Sequence, residues 1–80
     1  MEIESLTHSL GKVFKQRRLD LELTHELVAE KSGLNVNYYA RIERGEINTS
    51  LEKILSISNA LSSKPSALLA EAEKLAAEGY

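Results

Sequence analysis

No cysteine occurs in the 80 residues, which excludes disulfides and thiolate metal sites and is compatible with a reducing compartment. The two histidines, His8 and His25, stand far apart, with no cysteine or carboxylate at the spacing of a metal site, so neither a metal nor a cofactor is expected. The four glycines build no phosphate-cradling loop and no serine sits in a nucleophile elbow. Glu71 and Glu73, two positions apart, cannot share a helical face as a catalytic pair. Enzymatic activity is therefore not expected. No apolar run approaches the roughly 18 residues of a membrane span. The opening MEIESLTHSL has no basic region ahead of an apolar one, so no signal peptide is predicted and a cytoplasmic location is expected. A basic excess is missing too: ten Lys and Arg against twelve Asp and Glu leave a net charge of −2. A chain this short buries only about 60% of its unfolded surface, so residues 1–80 are read as one small domain of marginal stability.

What is present is concentrated between Thr24 and Gly45, THELVAEKSGLNVNYYARIERG. Thr24 is a good N-cap, and Leu27, Val28 and Lys31 follow at the spacing of one helical face, predicting a helix that ends near Ser32. Gly33 can take the left-handed conformation of a tight exit, Leu34 supplies an apolar plug, and Asn35 can cap a second helix reaching Arg44. Two helices joined through a short glycine turn form a helix-turn-helix, whose second helix can enter the DNA major groove. On a wheel of about 100° per residue, Tyr38, Tyr39 and Ile42 fall on one side of that helix. Val36, Asn37, Ala40, Arg41 and Arg44 fall on the other, a surface suited to base edges: Asn pairs with adenine, Arg with guanine, and Val touches a thymine methyl. Charge is distributed to match. Seven of the ten basic residues lie between positions 12 and 44, against five acids there, and phosphate contact depends on the local patch rather than the sum.

With its flanks, LGKVFKQRR (10–18) and SLEKILSISNAL (50–61), this stretch resembles the phage repressor and Cro-like (XRE-type) helix-turn-helix family, which includes the restriction-modification controller proteins. Ser32-Gly33-Leu34 in the turn and Ile42-Glu43-Arg44-Gly45 after it carry the likeness, with the motif at 24–43. The resemblance implies an all-α, five-helix, lambda-repressor-like domain that regulates transcription by binding a palindromic operator as a homodimer. It implies base contacts from Val36, Asn37, Ala40 and Arg41, and backbone contacts from Thr24, His25, Tyr38, Arg44, Asn48 and Thr49. It further implies a structural ion pair between Arg18 and Glu43. The same fold also serves as an antitoxin or antirepressor held by another regulatory protein, so double-stranded DNA, a second copy and a regulatory partner are all candidate partners. A membrane is not.

Several positions depart from the family pattern. Glu22 stands where a turn glycine is common, so either a regular right-handed turn or a small strain is expected. His25 replaces a glutamine, and an imidazole beside phosphate is driven toward its cationic form. Operator affinity is then expected to fall between about pH 6 and pH 8. Tyr39 fills an aliphatic slot and its hydroxyl needs a partner, while Tyr38 is split between packing and a bond to DNA. Thr49 stands in place of a proline, and Glu46 in the same loop is expected to face away or repel.

The remaining helices are read from periodicity. The first is predicted from Ser5 or Thr7 to Leu19, with Leu6, Leu10, Val13 and Phe14 as core and Lys12, Lys15 and Arg17 as a solvated rim or phosphate contacts. Ser50 caps a fourth helix whose apolar side is Leu51, Ile54, Leu55, Ile57, Ser58 and Leu61. Pro65 opens a fifth, 65–78. Leu68, Leu69, Ala72, Leu75 and Ala76 on this last helix are the expected dimer interface, with a monomeric tail completing the core as the alternative; a symmetric contact would set two recognition helices about 34 Å apart. Gly79 and Tyr80 are expected to fray.

Overall fold

In the computed structural model, which describes residues 2–79, the first four helices stop in one way. After α1 (Ile3–Asp20), α2 (His25–Ser32), α3 (Val36–Glu43) and α4 (Leu51–Ala60) the chain turns through a left-handed residue. The next N–H reaches back to the last turn: Leu23 to the Arg18 carbonyl at 3.0 Å, Leu34 to Ala29 at 2.8 Å, Glu46 to Arg41 at 3.0 Å and Ser63 to Ser58 at 2.9 Å. This closure satisfies carbonyls that a helix end leaves open. At Gly33 (φ 70°) it costs no side-chain clash, whereas Glu22 (φ 57°) and Ser62 (φ 52°) adopt it with a Cβ in place. The strained alternative for the first turn is therefore the one realised. The fifth helix, α5 (Pro65–Ala77), begins with its proline in the first turn as expected and is capped by Glu78. Tyr80 lies outside the described residues; the Gly79 N–H bonds to the Ala76 carbonyl at 3.1 Å.

The starts of α2, α3 and α4 follow from side-chain caps. Thr24 accepts from the Leu27 N–H, Asn35 from Asn37 and Tyr38, and Ser50 from Lys53. The first helix begins earlier than its periodicity predicts, at Ile3, whose side chain is exposed. One core unites all five helices: Leu10, Val13 and Phe14 of α1, Val28 and Ala29 of α2, Tyr39 and Ile42 of α3, Ile57, Ala60 and Leu61 from α4 and its end, and Leu68 and Ala72 of α5. Helices α1 and α3 also meet backbone on backbone. A methyl added at Gly11 would stand 2.5 Å from the Glu43 carbonyl oxygen, so only glycine admits this approach.

This packing adds one detail and corrects two expectations. Leu27 lies toward solvent while the adjacent Val28 and Ala29 are buried in the shared core. On α4 the apolar stripe is wider than the core can cover, leaving Leu51 65% and Leu55 45% exposed. Leu68 and Ala72 are buried within the chain's own core as α5 packs chiefly along α1, so neither is free for a dimer contact. Leu69, Leu75 and Ala76 remain half-buried.

Candidate nucleic-acid interface

Helix α3 has two sides. Tyr39, Ile42 and Glu43 are buried, while Asn37, Arg41 and Arg44 are exposed. Val36, Tyr38 and Ala40 are intermediate, and Val36 packs against the core together with Tyr38 and Leu34. Val36 is thus corrected from an outward to a marginal position: it lies three residues before Tyr39 and seven before Glu43, on the buried side of the helix. Asn37 is the outward side chain left without a partner among the described residues, since the Asn35 cap bonds to its backbone N–H and not its amide.

Behind α3, Arg18 holds Glu43. Its Nε donates to Oε2 at 2.7 Å, Nη2 donates to Oε1 at 3.2 Å, and Nη1 donates to the Leu23 carbonyl at 3.0 Å. Nearly all of both side chains is covered. Burial pushes the Glu43 carboxyl up, but the Arg18 hydrogen bond and the neighbouring charges outweigh it and hold the group below the usual carboxylate range. The same hydrogen bond raises Arg18 above its ordinary value against the opposing effect of burial. Tyr39 sits beside the pair with its hydroxyl buried next to Glu43 and Arg18 but outside hydrogen-bond geometry to any described residue. Burial, with Glu43 next in importance, raises its pKa well beyond the normal phenol range.

His25, at the start of α2, reaches the same carboxylate: Nε2 lies 3.0 Å from Glu43 Oε1, and the ring centroid lies 6.2 Å from that of Tyr39. The imidazole is 42% exposed, so one edge meets Glu43 while the remainder is open. Thr24 uses its oxygen as a cap acceptor, which leaves its hydroxyl proton available.

The loop after α3 is tied down by its own side chains. Asn48 meets Thr7 of α1, Oδ1 to Oγ1 at 2.6 Å, while the Thr7 hydroxyl also lies 3.0 Å from the Ile3 carbonyl. One hydroxyl proton cannot serve both acceptors, so an amide turned to donate its N–H to Thr7 satisfies the pair. Thr49 and the Tyr38 hydroxyl are 3.3 Å apart, and Lys53 stands 5.3 Å above the Tyr38 ring. Glu46, expected to face away, instead bridges the two exposed arginines: Arg41 Nε donates to Oε1 at 3.4 Å and Arg44 Nε donates to Oε2. Hydrogen bonding to Arg44 lowers the Glu46 pKa and, reciprocally, raises that of Arg44.

A cleft of about 380 Å³ runs beside this face, lined by His8, Lys12, Lys15, His25, Ala40, Glu43 and Arg44. It separates the basic residues of α1. His8, Lys12 and Lys15 share the cleft with α3, whereas Arg17 Nε bonds Ser63 Oγ at 2.8 Å. The four- and three-residue spacing of His8, Lys12 and Lys15 is the signal that could have grouped them. Among the described residues no cluster of three or more His, Asp or Glu side chains could hold a metal ion, and no helix is long and apolar enough to cross a membrane.

Comparison with known proteins extends this description. The helix-turn-helix family matches residues 14–68. The clp gene regulator ClgR from Corynebacterium glutamicum has a similar structure, with a TM-score of 0.89 and 30% identity over 92% of this chain and 79% of its own. The restriction-modification controller protein C.AhdI from Aeromonas hydrophila is similar at a TM-score of 0.75 and 34% identity, covering 78% of this chain and 94% of its own. A mutant of the controller protein C.Esp1396I is similar at 0.78 and 28% identity, covering 86% and 92%. No curated protein gives a match.

Proposed function

The chain belongs to the helix-turn-helix family and is a DNA-binding regulator of transcription; from that premise we propose that it reads a palindromic operator as a homodimer, by binding rather than catalysis. The observation that carries this reading is the sidedness of α3, with Asn37, Arg41 and Arg44 exposed and Tyr39, Ile42 and Glu43 anchored behind them. Asn37 offers a donor and an acceptor to adenine and Arg41 a paired donor to guanine, each worth roughly 1–3 kcal/mol of discrimination. Ala40 and the uncovered edge of Val36 supply small apolar contacts beside them.

Backbone anchoring in this proposal comes from Thr24, His25, Tyr38, Arg44, Asn48 and Thr49, with Lys12 and Lys15 continuing the cationic surface along the cleft. Such contacts set register without reading sequence. The Thr24 hydroxyl proton and the Tyr38–Thr49 hydroxyl pair can turn toward phosphate without vacating a buried bond. The second copy would use the apolar surface that the chain's own core leaves open: Leu51 and Leu55 of α4 and the uncovered parts of Leu69, Leu75 and Ala76 of α5.

Selection from a random duplex library, followed by footprinting and sedimentation in a salt series, tests the proposal. Expected are a two-fold footprint, a mass of two chains per site and an affinity that falls steeply with salt. Arg41→Ala should relax base choice and Arg44→Ala should weaken all duplexes alike. Equal losses on selected and random duplexes for both variants would undo that division of labour. Capture of a protein partner together with no salt-dependent DNA binding would favour an interaction module instead.

A further inference from the structure

We infer that Glu46 is a specificity-determining residue that positions the two arginines of α3, a step that rests on the DNA-reading proposal above. Its carboxylate accepts from Nε of Arg41 on one oxygen and from Nε of Arg44 on the other. The choice of nitrogen matters. A guanidinium presents five N–H donors in a flat fork, and occupying the Nε edge leaves the two terminal nitrogens free. Those are sufficient for the O6 and N7 acceptors of guanine. Gripping a phosphate side-on, through Nε and one terminal nitrogen, requires the arginine to leave Glu46. The carboxylate also offsets positive charge that any phosphate would otherwise meet, and so weakens sequence-independent attraction.

The placement of Glu46 follows from the turn that ends α3. Gly45 at φ 73° folds the chain back, and the Glu46 N–H closes on the Arg41 carbonyl at 3.0 Å. This sets its side chain over the last turn of the helix, within reach of Arg41 and Arg44 together. All three side chains are about half exposed, so the pairs are weak enough to exchange with DNA. Glu46 therefore favours end-on reading of a base by Arg41 and disfavours loose capture of the backbone.

The test compares a duplex enriched by the wild-type protein with a scrambled duplex of the same composition. Both are titrated with wild type, Glu46→Gln, Glu46→Asp and Glu52→Gln, the last removing an exposed carboxylate that has no arginine partner among the described residues. Glu46→Gln is expected to bind the scrambled duplex about tenfold more tightly and the enriched one less than about threefold more tightly, so that their ratio falls. Glu46→Asp keeps the charge but is a methylene too short to span both arginines, and should lose most of the same ratio. Glu52→Gln should leave it alone. Thermal melts by circular dichroism should coincide for all four proteins. Equal gains on both duplexes for Glu46→Gln, or a wild-type ratio for Glu46→Asp, overturn the inference and leave the DNA reading standing. A wild-type protein that enriches no sequence and binds no duplex overturns both.

Discussion

Glu43 and Glu46, three positions apart where α3 ends, each gather two basic side chains, Arg18 and His25 for the first and Arg41 and Arg44 for the second. The chemistry is the same and the setting is not. The Glu43 side chain is 3% exposed and the Glu46 side chain 45%. Water screens the outer group, so its arginines can change partner at little cost, and both stand on the face proposed to meet DNA. The inner group has no such freedom. Its carboxylate has lost its hydration and depends on Arg18 for compensation, so either partner left alone is a buried, uncompensated charge. One constellation is locked inside the fold and the other is free to exchange partners.

The largest way to separate the two is to remove the inner cation. Arg18→Met should lower unfolding free energy by about 3–5 kcal/mol, measured by urea denaturation, because Glu43 is left buried without its guanidinium. The paired replacement of Arg18 and Glu43 by apolar residues should cost less than Arg18→Met alone. If the single change has no effect, the inner pair is as dispensable as the outer one and the contrast disappears.

Acid provides the next test. Glu43 titrates below its unfolded value of 4.5 in the folded chain, so its stabilising contribution is fully present above that value and is lost as pH falls through the lower folded pKa. Denaturation midpoints followed downward from neutral pH should therefore decline through the acid range in wild type. The decline should be shallower in Glu43→Gln, which has no such proton to take up.

A surface change outside both groups gives an intermediate scale. Glu22 pays for its left-handed backbone at φ 57° with a Cβ clash. Glu22→Gly should stabilise by about 0.5–1 kcal/mol, the relief of roughly 1–2 offset by the extra freedom glycine gives the unfolded chain. The smallest effect on folding belongs to the outer constellation itself. Glu46→Gln and Arg44→Gln should leave the urea midpoint unchanged within scatter, while their DNA affinities move in opposite directions. A loss of stability comparable to that of Arg18→Met would show that exposure does not divide the two groups.

The local signals were legible because they act over a few residues. Thr24, Asn35, Ser50 and Pro65 mark helix starts through their own hydrogen-bonding or ring geometry, and Gly33 marks an exit through its freedom at positive φ. The periodicity of Leu10, Val13 and Phe14 identifies one side of α1. Signals failed where sidedness alone had to decide. Val36 was sorted with the outward residues because a wheel does not say how wide a strip the neighbouring helices cover. Leu68 and Ala72 looked available to a second copy because their own helix shows nothing of how closely α1 packs on them.

Five helices, the caps of α2, α3 and α4, the Gly33 turn and an arginine-bearing α3 were thus determined by the sequence itself, through interactions between residues within a turn or two of one another. Tertiary structure alone decided the meeting of Thr7 with Asn48 over 41 positions, and it set the geometry of the Arg18–Glu43 pair, over 25 positions, that the family resemblance had implied. It also decided that Glu43 lies inside and Glu46 outside, because burial depends on what packs over a side chain and not on the residues beside it in the chain. That difference in desolvation is what sets two chemically identical carboxylates apart.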